Sequence, residues 1–278
     1  MIDTLIAFGC SNTYGAEAIR DDDHNNEENI NSSYAKYLSD HLKCKNYINL
    51  AECGISNFVI SSKVISLLPQ YIEKYGRENI FVVIGWTDNN RIRLYLNNII
   101  PFKEVYREIV DAGEWPLICM LMPESVNNRT DKDLTKKFYE LFKKFPFIDK
   151  FFMGILKYIF RTPSFYYTNI CVKMATEYYL NKYNIKYFTF PTLRSHPIHY
   201  KDLIFKDPNL DKFFIDAEFL LDEKHNIYEN NKDGSCNFDM LKKFGEFGKS
   251  NSGGHLKASA HKKLAKYLFD EICSRNIL

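Results

Sequence analysis

Short unbroken apolar runs alternate along this chain with longer periodic stretches. Residues 5–8 (Leu-Ile-Ala-Phe) are an apolar run stopped by Gly9, with the length and punctuation of a buried strand. Residues 47–50 make a second short strand. Val59, Ile60, Val64, Leu67, Leu68 and Ile72 then recur near a helical period, predicting a helix capped by Ser56, reaching about Tyr75 and closed by Gly76. Residues 80–84 (Ile-Phe-Val-Val-Ile) are apolar on both faces, as a central parallel strand requires. A helix over 164–183, a strand over 186–190 ended by Pro191, and a final helix over 257–275 complete the regular part. Ser32 and Ser33 offer a cap for one more helix running to about Leu42, and the acidic stretch 21–31 before them reads as a solvated surface loop.

Strands alternating with crossover helices predict an α/β chain with a central parallel sheet covered on both faces. The whole chain, 1–278, is expected to be a single domain with two insertions. The first, 92–163, is mostly helical; residues 115–122 fit strand or helix equally. Within it, 135–160 interleaves aromatic residues with lysines. That segment is open to three readings: a hairpin packed on the body, a lid over a site, or a surface for a partner or a membrane. The second insertion, 192–250, is rich in loops.

Composition narrows the functional classes. A net charge of +2, with basic and acidic residues interleaved, argues against nucleic acid as a partner. Seven cysteines occur without a Cys-x-x-Cys pair, which fits reduced thiols in a cytoplasm better than disulfides or zinc. The start of the chain lacks the basic segment and apolar stretch of a signal peptide, and no apolar run nears the ~20 residues of a membrane span. The expectation is therefore a cytoplasmic chain with no membrane span. No metal or cofactor is expected; His196 and His199 read as loop histidines without further ligands.

In a parallel sheet, chemistry gathers at the carboxyl ends of the strands. Three segments follow such ends: Gly9-Cys10-Ser11-Asn12-Thr13-Tyr14-Gly15, Asn49-Leu50-Ala51-Glu52-Cys53-Gly54, and Ile84-Gly85-Trp86-Thr87-Asp88-Asn89-Asn90-Arg91. A fourth, Ser252-Gly253-Gly254-His255, precedes the last helix. A serine in a tight turn just past a strand can present its hydroxyl, and a nucleophile needs that exposure plus a nearby base. Cys10 and Cys53, close to these turns, read as small buried hydrophobes. His261, six residues after His255, reads as facing outward or packing at the sheet edge.

Taken in order, Gly-x-Ser-x-Thr-x-Gly, Asn-x-Ala-x-x-Gly, Ile-Gly-x-Thr-Asp and a late histidine before a helix resemble the SGNH (GDSL-like) hydrolase family. The resemblance covers roughly residues 1–91, 165–191 and 251–275. It implies a three-layer, flavodoxin-like α/β/α sandwich and a serine esterase. Carried over, it makes Ser11 the nucleophile, His255 the base, and the N–H groups of Ser11 and Gly54 part of an oxyanion hole.

Two positions depart from the family pattern. Thr87 stands where the family has the oxyanion asparagine; a threonine hydroxyl can donate one hydrogen bond, and Asn89 or Asn90 is an alternative donor. Ser252 stands where the family places the acid, three residues before His255. His255 would then be oriented by a backbone carbonyl, by Ser252, or by a distant acid such as Asp239 or Glu246. Arg91 is a candidate anchor for a substrate carboxylate or phosphate, or else a loop salt bridge. The resulting expectation is hydrolysis of small acyl esters, acetylated carbohydrate foremost. The alternatives are acyl transfer to or from a sugar hydroxyl, and a catalytically weakened binding protein of the same fold.

Overall fold

The computed structural model describes residues 2–19, 26–87, 163–192, 224–225, 243–244 and 255–278. Asn89, Asn90, Arg91, His196, His199, Asp239, Glu246, Ser252 and the aromatic-basic segment 135–160 lie outside these residues, as does the stretch 115–122.

Four strands, β1 (Thr4–Gly9), β2 (Asn46–Asn49), β3 (Ile80–Trp86) and β4 (Lys186–Pro191), form a wholly parallel sheet in the order β2-β1-β3-β4. This is the flavodoxin-like order through its first four positions. Every residue of β1 and β3 is buried, which explains why both read as continuous apolar runs.

Side chains alternate between two faces, and each face has its own helices. Leu5, Ala7, Phe81, Val83, Phe188 and Phe190 pack under α3 (Tyr34–His41) and α6 (Ala258–Ser274), which contribute Leu38, Leu264, Leu268 and Ile272. Ile6, Phe8, Val82, Ile84, Trp86 and Tyr187 face the other way, against Val59, Ile60, Val64 and Leu68 of α4 (Asn57–Tyr75) and Leu180 of α5 (Pro163–Lys182). The three-layer α/β/α sandwich expected from the alternation is what the described residues form. α3, α4, α5 and α6 end within a residue or so of their predicted bounds; Ser33 Oγ accepts from Lys36 N, Gly76 closes α4 with φ 78°, and Ser56 stands at the start of α4 without a side-chain cap bond.

The acidic stretch 21–31 is not loop throughout. Residues 27–31 form the short helix α2 (Glu27–Asn31), capped by Asn26, whose Oδ1 accepts from Glu28 N at 2.7 Å. Glu27 and Glu28 sit in its first turn, where the helix dipole favours negative charge; polarity there signals a helix start rather than a loop. The short helix also buries Asn29, which becomes important at the site.

The outer edge of β4 is partly covered as well. Thr189 N donates to the carbonyl of His225 at 2.8 Å, and the His225 ring stacks on Tyr187. Backbone contributed from the second insertion thus satisfies part of an edge that would otherwise be open to pairing.

Candidate active site

Ser11 does not sit in a plain turn. It is the first residue of a one-turn helix, α1 (Ser11–Tyr14), that folds straight back across the strand ends. Glycine makes that fold possible. Gly9 and Gly85 are register partners across β1 and β3, and Thr13 of α1 fills the space between them. A Cβ on Gly9 would come within 2.0 Å of Thr13 Oγ1, and one on Gly85 within 2.3 Å of the same atom. Thr13 Oγ1 accepts a hydrogen bond from the buried Tyr34 hydroxyl at 2.9 Å. Burial holds the Tyr34 phenol well above its ordinary pKa, so it stays a neutral donor. Asn49, from the second segment, reaches the Thr13 and Tyr14 carbonyls with its amide N–H groups at 3.2 and 3.3 Å, and ties α1 to the end of β2.

Ser11 is 4% exposed, and its Oγ lies 2.8 Å from Nε2 of His255, a residue 244 positions away. The two residues that the sequence singled out are therefore side by side at the carboxyl edge of the sheet. His255 is brought there by the start of α6, which is fastened to the segment after α1. Ala258 N donates to the carbonyl of Ala18 at 3.0 Å, and Lys257 Nζ donates to the carbonyl of Glu17 at 3.2 Å.

The other ring nitrogen of His255 meets a residue that sequence reasoning missed. Nδ1 lies 3.1 Å from Oε2 of Glu17, whose side chain is 1% exposed. The approach is oblique to an ideal N–H···O line, so the pair is in close contact without meeting hydrogen-bond geometry. Glu17 takes a left-handed backbone, φ 61°, a conformation that costs a non-glycine residue about 1–3 kcal/mol and persists only where its surroundings enforce it. No motif points to Glu17, which lies far from His255 in sequence. The available signal was a glutamate between alanines in a short turn directly after the nucleophile, a poor place for a solvated acid.

The third segment is placed by Asn57, the first residue of α4. Thr87 N donates to Asn57 Oδ1 at 2.9 Å, and Asn57 Nδ2 donates to the Thr87 carbonyl at 3.1 Å and to Asn169 Oδ1 at 3.0 Å. Thr87 is thereby fixed just past β3. Its Oγ1 is buried and has no hydrogen-bond partner among the described residues. Asn12, next to Ser11 and fully buried, has neither amide end partnered, and the Ser56 hydroxyl is in the same state. Buried polar groups are usually satisfied, so three orphans following the ends of β1, β2 and β3 mark this edge as polar and unfinished. Gly54 lies in the turn after β2 with φ 78°, a conformation suited to glycine.

Cys10 is fully buried, its Sγ 3.2 Å from Thr192 Oγ1; Thr192 in turn donates its N–H and hydroxyl to the Trp86 carbonyl. It behaves as the packed small residue expected. His261 does not face outward. It is fully buried against Tyr34, and its Nδ1 accepts from Tyr34 N at 3.1 Å, leaving the proton on Nε2. Burial, with a smaller contribution from the His255 charge, pushes its pKa down to about 3. The misreading arose because His261 follows the polar-looking start of α6, yet it occupies the buried stripe with Leu264 and Leu268.

No family model matches the chain, and no curated protein matches it. Among solved structures, a crystal structure of TesA is similar at a TM-score of 0.45 and 10% identity, covering 98% of this chain and 99% of that one. Among the described residues, no helix is long and apolar enough to cross a membrane.

Proposed function

We propose that this chain is a serine esterase of the SGNH type, hydrolysing small acyl esters with Ser11 as nucleophile and His255 as base. The observation that carries this reading is the 2.8 Å approach of Ser11 Oγ to His255 Nε2 at the carboxyl edge of a parallel sheet. In the first step the Ser11 proton passes to Nε2 while Oγ bonds to the ester carbonyl carbon. The N–H groups of Ser11 and Gly54, with the Thr87 hydroxyl, are the donors assigned to the resulting oxyanion. Collapse breaks the bond to the alcohol oxygen, which takes the proton from Nε2. Water then attacks the acyl-serine, gives its proton to Nε2, and the acid leaves as the proton returns to Ser11.

Acetyl esters of carbohydrates are the substrate class we favour, on the resemblance of the four segments alone. Transfer to a sugar hydroxyl instead of water would depend on the first insertion. The binding-only reading rested on two departures from the family pattern; the carboxylate of Glu17 near His255 answers one of them.

The test is turnover of p-nitrophenyl acetate and acetylated sugars by the full chain and by Ser11→Ala. Loss of about 10⁴-fold or more in the variant is expected. Equal rates in the two proteins would remove Ser11 from the mechanism.

A further inference from the structure

We infer that Glu17 is the acid of the site: a positioning residue that orients His255 and balances the charge it acquires when it takes the Ser11 proton. The inference rests on the esterase reading above and deepens it. It places the acid six residues after the nucleophile, in the same segment, and not beside the histidine.

Three observations converge on it. The carboxylate is within 3.1 Å of Nδ1, while Nε2 of the same ring faces Ser11 Oγ at 2.8 Å, so the three groups stand in series. The side chain is almost wholly buried, and a buried carboxylate is stable only where a cation or donors compensate it. The turn that bears it is held from both directions. Gly15 and Ala16 N–H groups donate to the Ser11 carbonyl at 3.0 Å each, Ala18 N to the Gly15 carbonyl at 3.0 Å, and Ile19 N to Asn29 Oδ1 at 2.8 Å. On the other side Lys257 and Ala258 grip the Glu17 and Ala18 carbonyls. Glu17 and His255 thus ride on two segments fastened to each other, and the left-handed backbone at Glu17 is what turns its carboxylate toward the ring.

In the reaction Glu17 stays ionised and accepts from Nδ1–H as the ring takes the Ser11 proton. It fixes the tautomer that leaves Nε2 free to accept the Ser11 proton, and it stabilises the imidazolium that results. No proton moves onto it.

The experiment compares full-length wild type, Glu17→Gln and Glu17→Gly. Glutamine keeps the size and removes the charge. Glycine removes the side chain but suits φ 61°, so it relieves the backbone and keeps the test alive should the glutamine variant not fold. Both variants are expected to lose about 10²- to 10⁴-fold in kcat on p-nitrophenyl acetate, with KM little changed. Glu17→Gly is expected to melt no lower than Glu17→Gln. A proton NMR spectrum of wild type should show a far-downfield Nδ1–H signal, assigned by its loss in His255→Ala, and Glu17→Gln should abolish it. Wild-type turnover in either folded variant, or persistence of that signal in Glu17→Gln, would overturn the inference. If wild type itself has no esterase activity, the esterase reading fails, and the NMR signal still decides whether Glu17 orients His255.

Discussion

At the end of β1, Ser11, His255 and Glu17 stand in series at 2.8 and 3.1 Å, whereas at the end of β3 the buried Thr87 hydroxyl has no hydrogen-bond partner among the described residues. Both edges are rigidly placed: α1 is locked by Thr13 and Asn49, and Thr87 by the two-point clamp of Asn57. They differ in what is left over. The first edge has its hydroxyl, imidazole and carboxylate already in contact with one another. The second keeps a buried donor that is unsatisfied among the described residues, a state that costs stability unless an acceptor reaches it. A site that moves protons at one edge and stabilises new negative charge at the other would be built this way.

Thr87→Val breaks the comparison at its weaker edge. Valine keeps the shape and removes only the hydroxyl. If that hydroxyl is an oxyanion donor, kcat falls by about 10²- to 10³-fold while KM stays near wild type. Because Oγ1 makes no hydrogen bond among the described residues, the variant should be as stable as wild type or slightly more so by urea denaturation. Unchanged turnover would assign the oxyanion to other donors and leave Thr87 a structural residue.

A smaller effect sharpens the same contrast from beneath the Ser11 edge. His261 is held neutral by burial, with a pKa of about 3, below its ordinary value near 6.5. Between these values the unfolded chain binds a proton at this residue and the folded chain does not. Stability from His261 is therefore complete above about pH 6.5 and is lost as pH falls toward 3, by at most about 1.4 kcal/mol per pH unit. His261→Leu should flatten that part of the urea midpoint–pH curve. It should also lower overall stability, because Tyr34 N loses its acceptor. An identical pH slope in the variant would show that His261 titrates alike in the folded and unfolded chain.

Much of this architecture is legible in the order of apolar runs and turns along the chain. The runs at 5–8, 80–84 and 186–190 became β1, β3 and β4 because full burial on two faces leaves an unbroken apolar signature. The glycine turns that carry Ser11 and His255 are legible as places where a side chain can be presented; the 2.8 Å approach of the two residues is what the fold adds. The place of Glu17 beside His255 is not legible, because it depends on a left-handed backbone and on contacts with residues some 240 positions away, neither of which a local pattern encodes. His261 was misjudged for a related reason: its burial is set by Tyr34 of a distant helix, which supplies the N–H that makes an interior imidazole tolerable. The helix α2 was hidden by its acidity, although Asn26 followed by two glutamates is a helix start.

On the esterase reading proposed above, an activated Ser11 is the reactive group of this protein. Treating the full chain with a fluorophosphonate and locating the adduct by peptide mass spectrometry tests it most directly. A single adduct on Ser11, formed at a rate that collapses in His255→Ala, is the predicted result. An unlabelled Ser11, or labelling that proceeds equally well without His255, would contradict it.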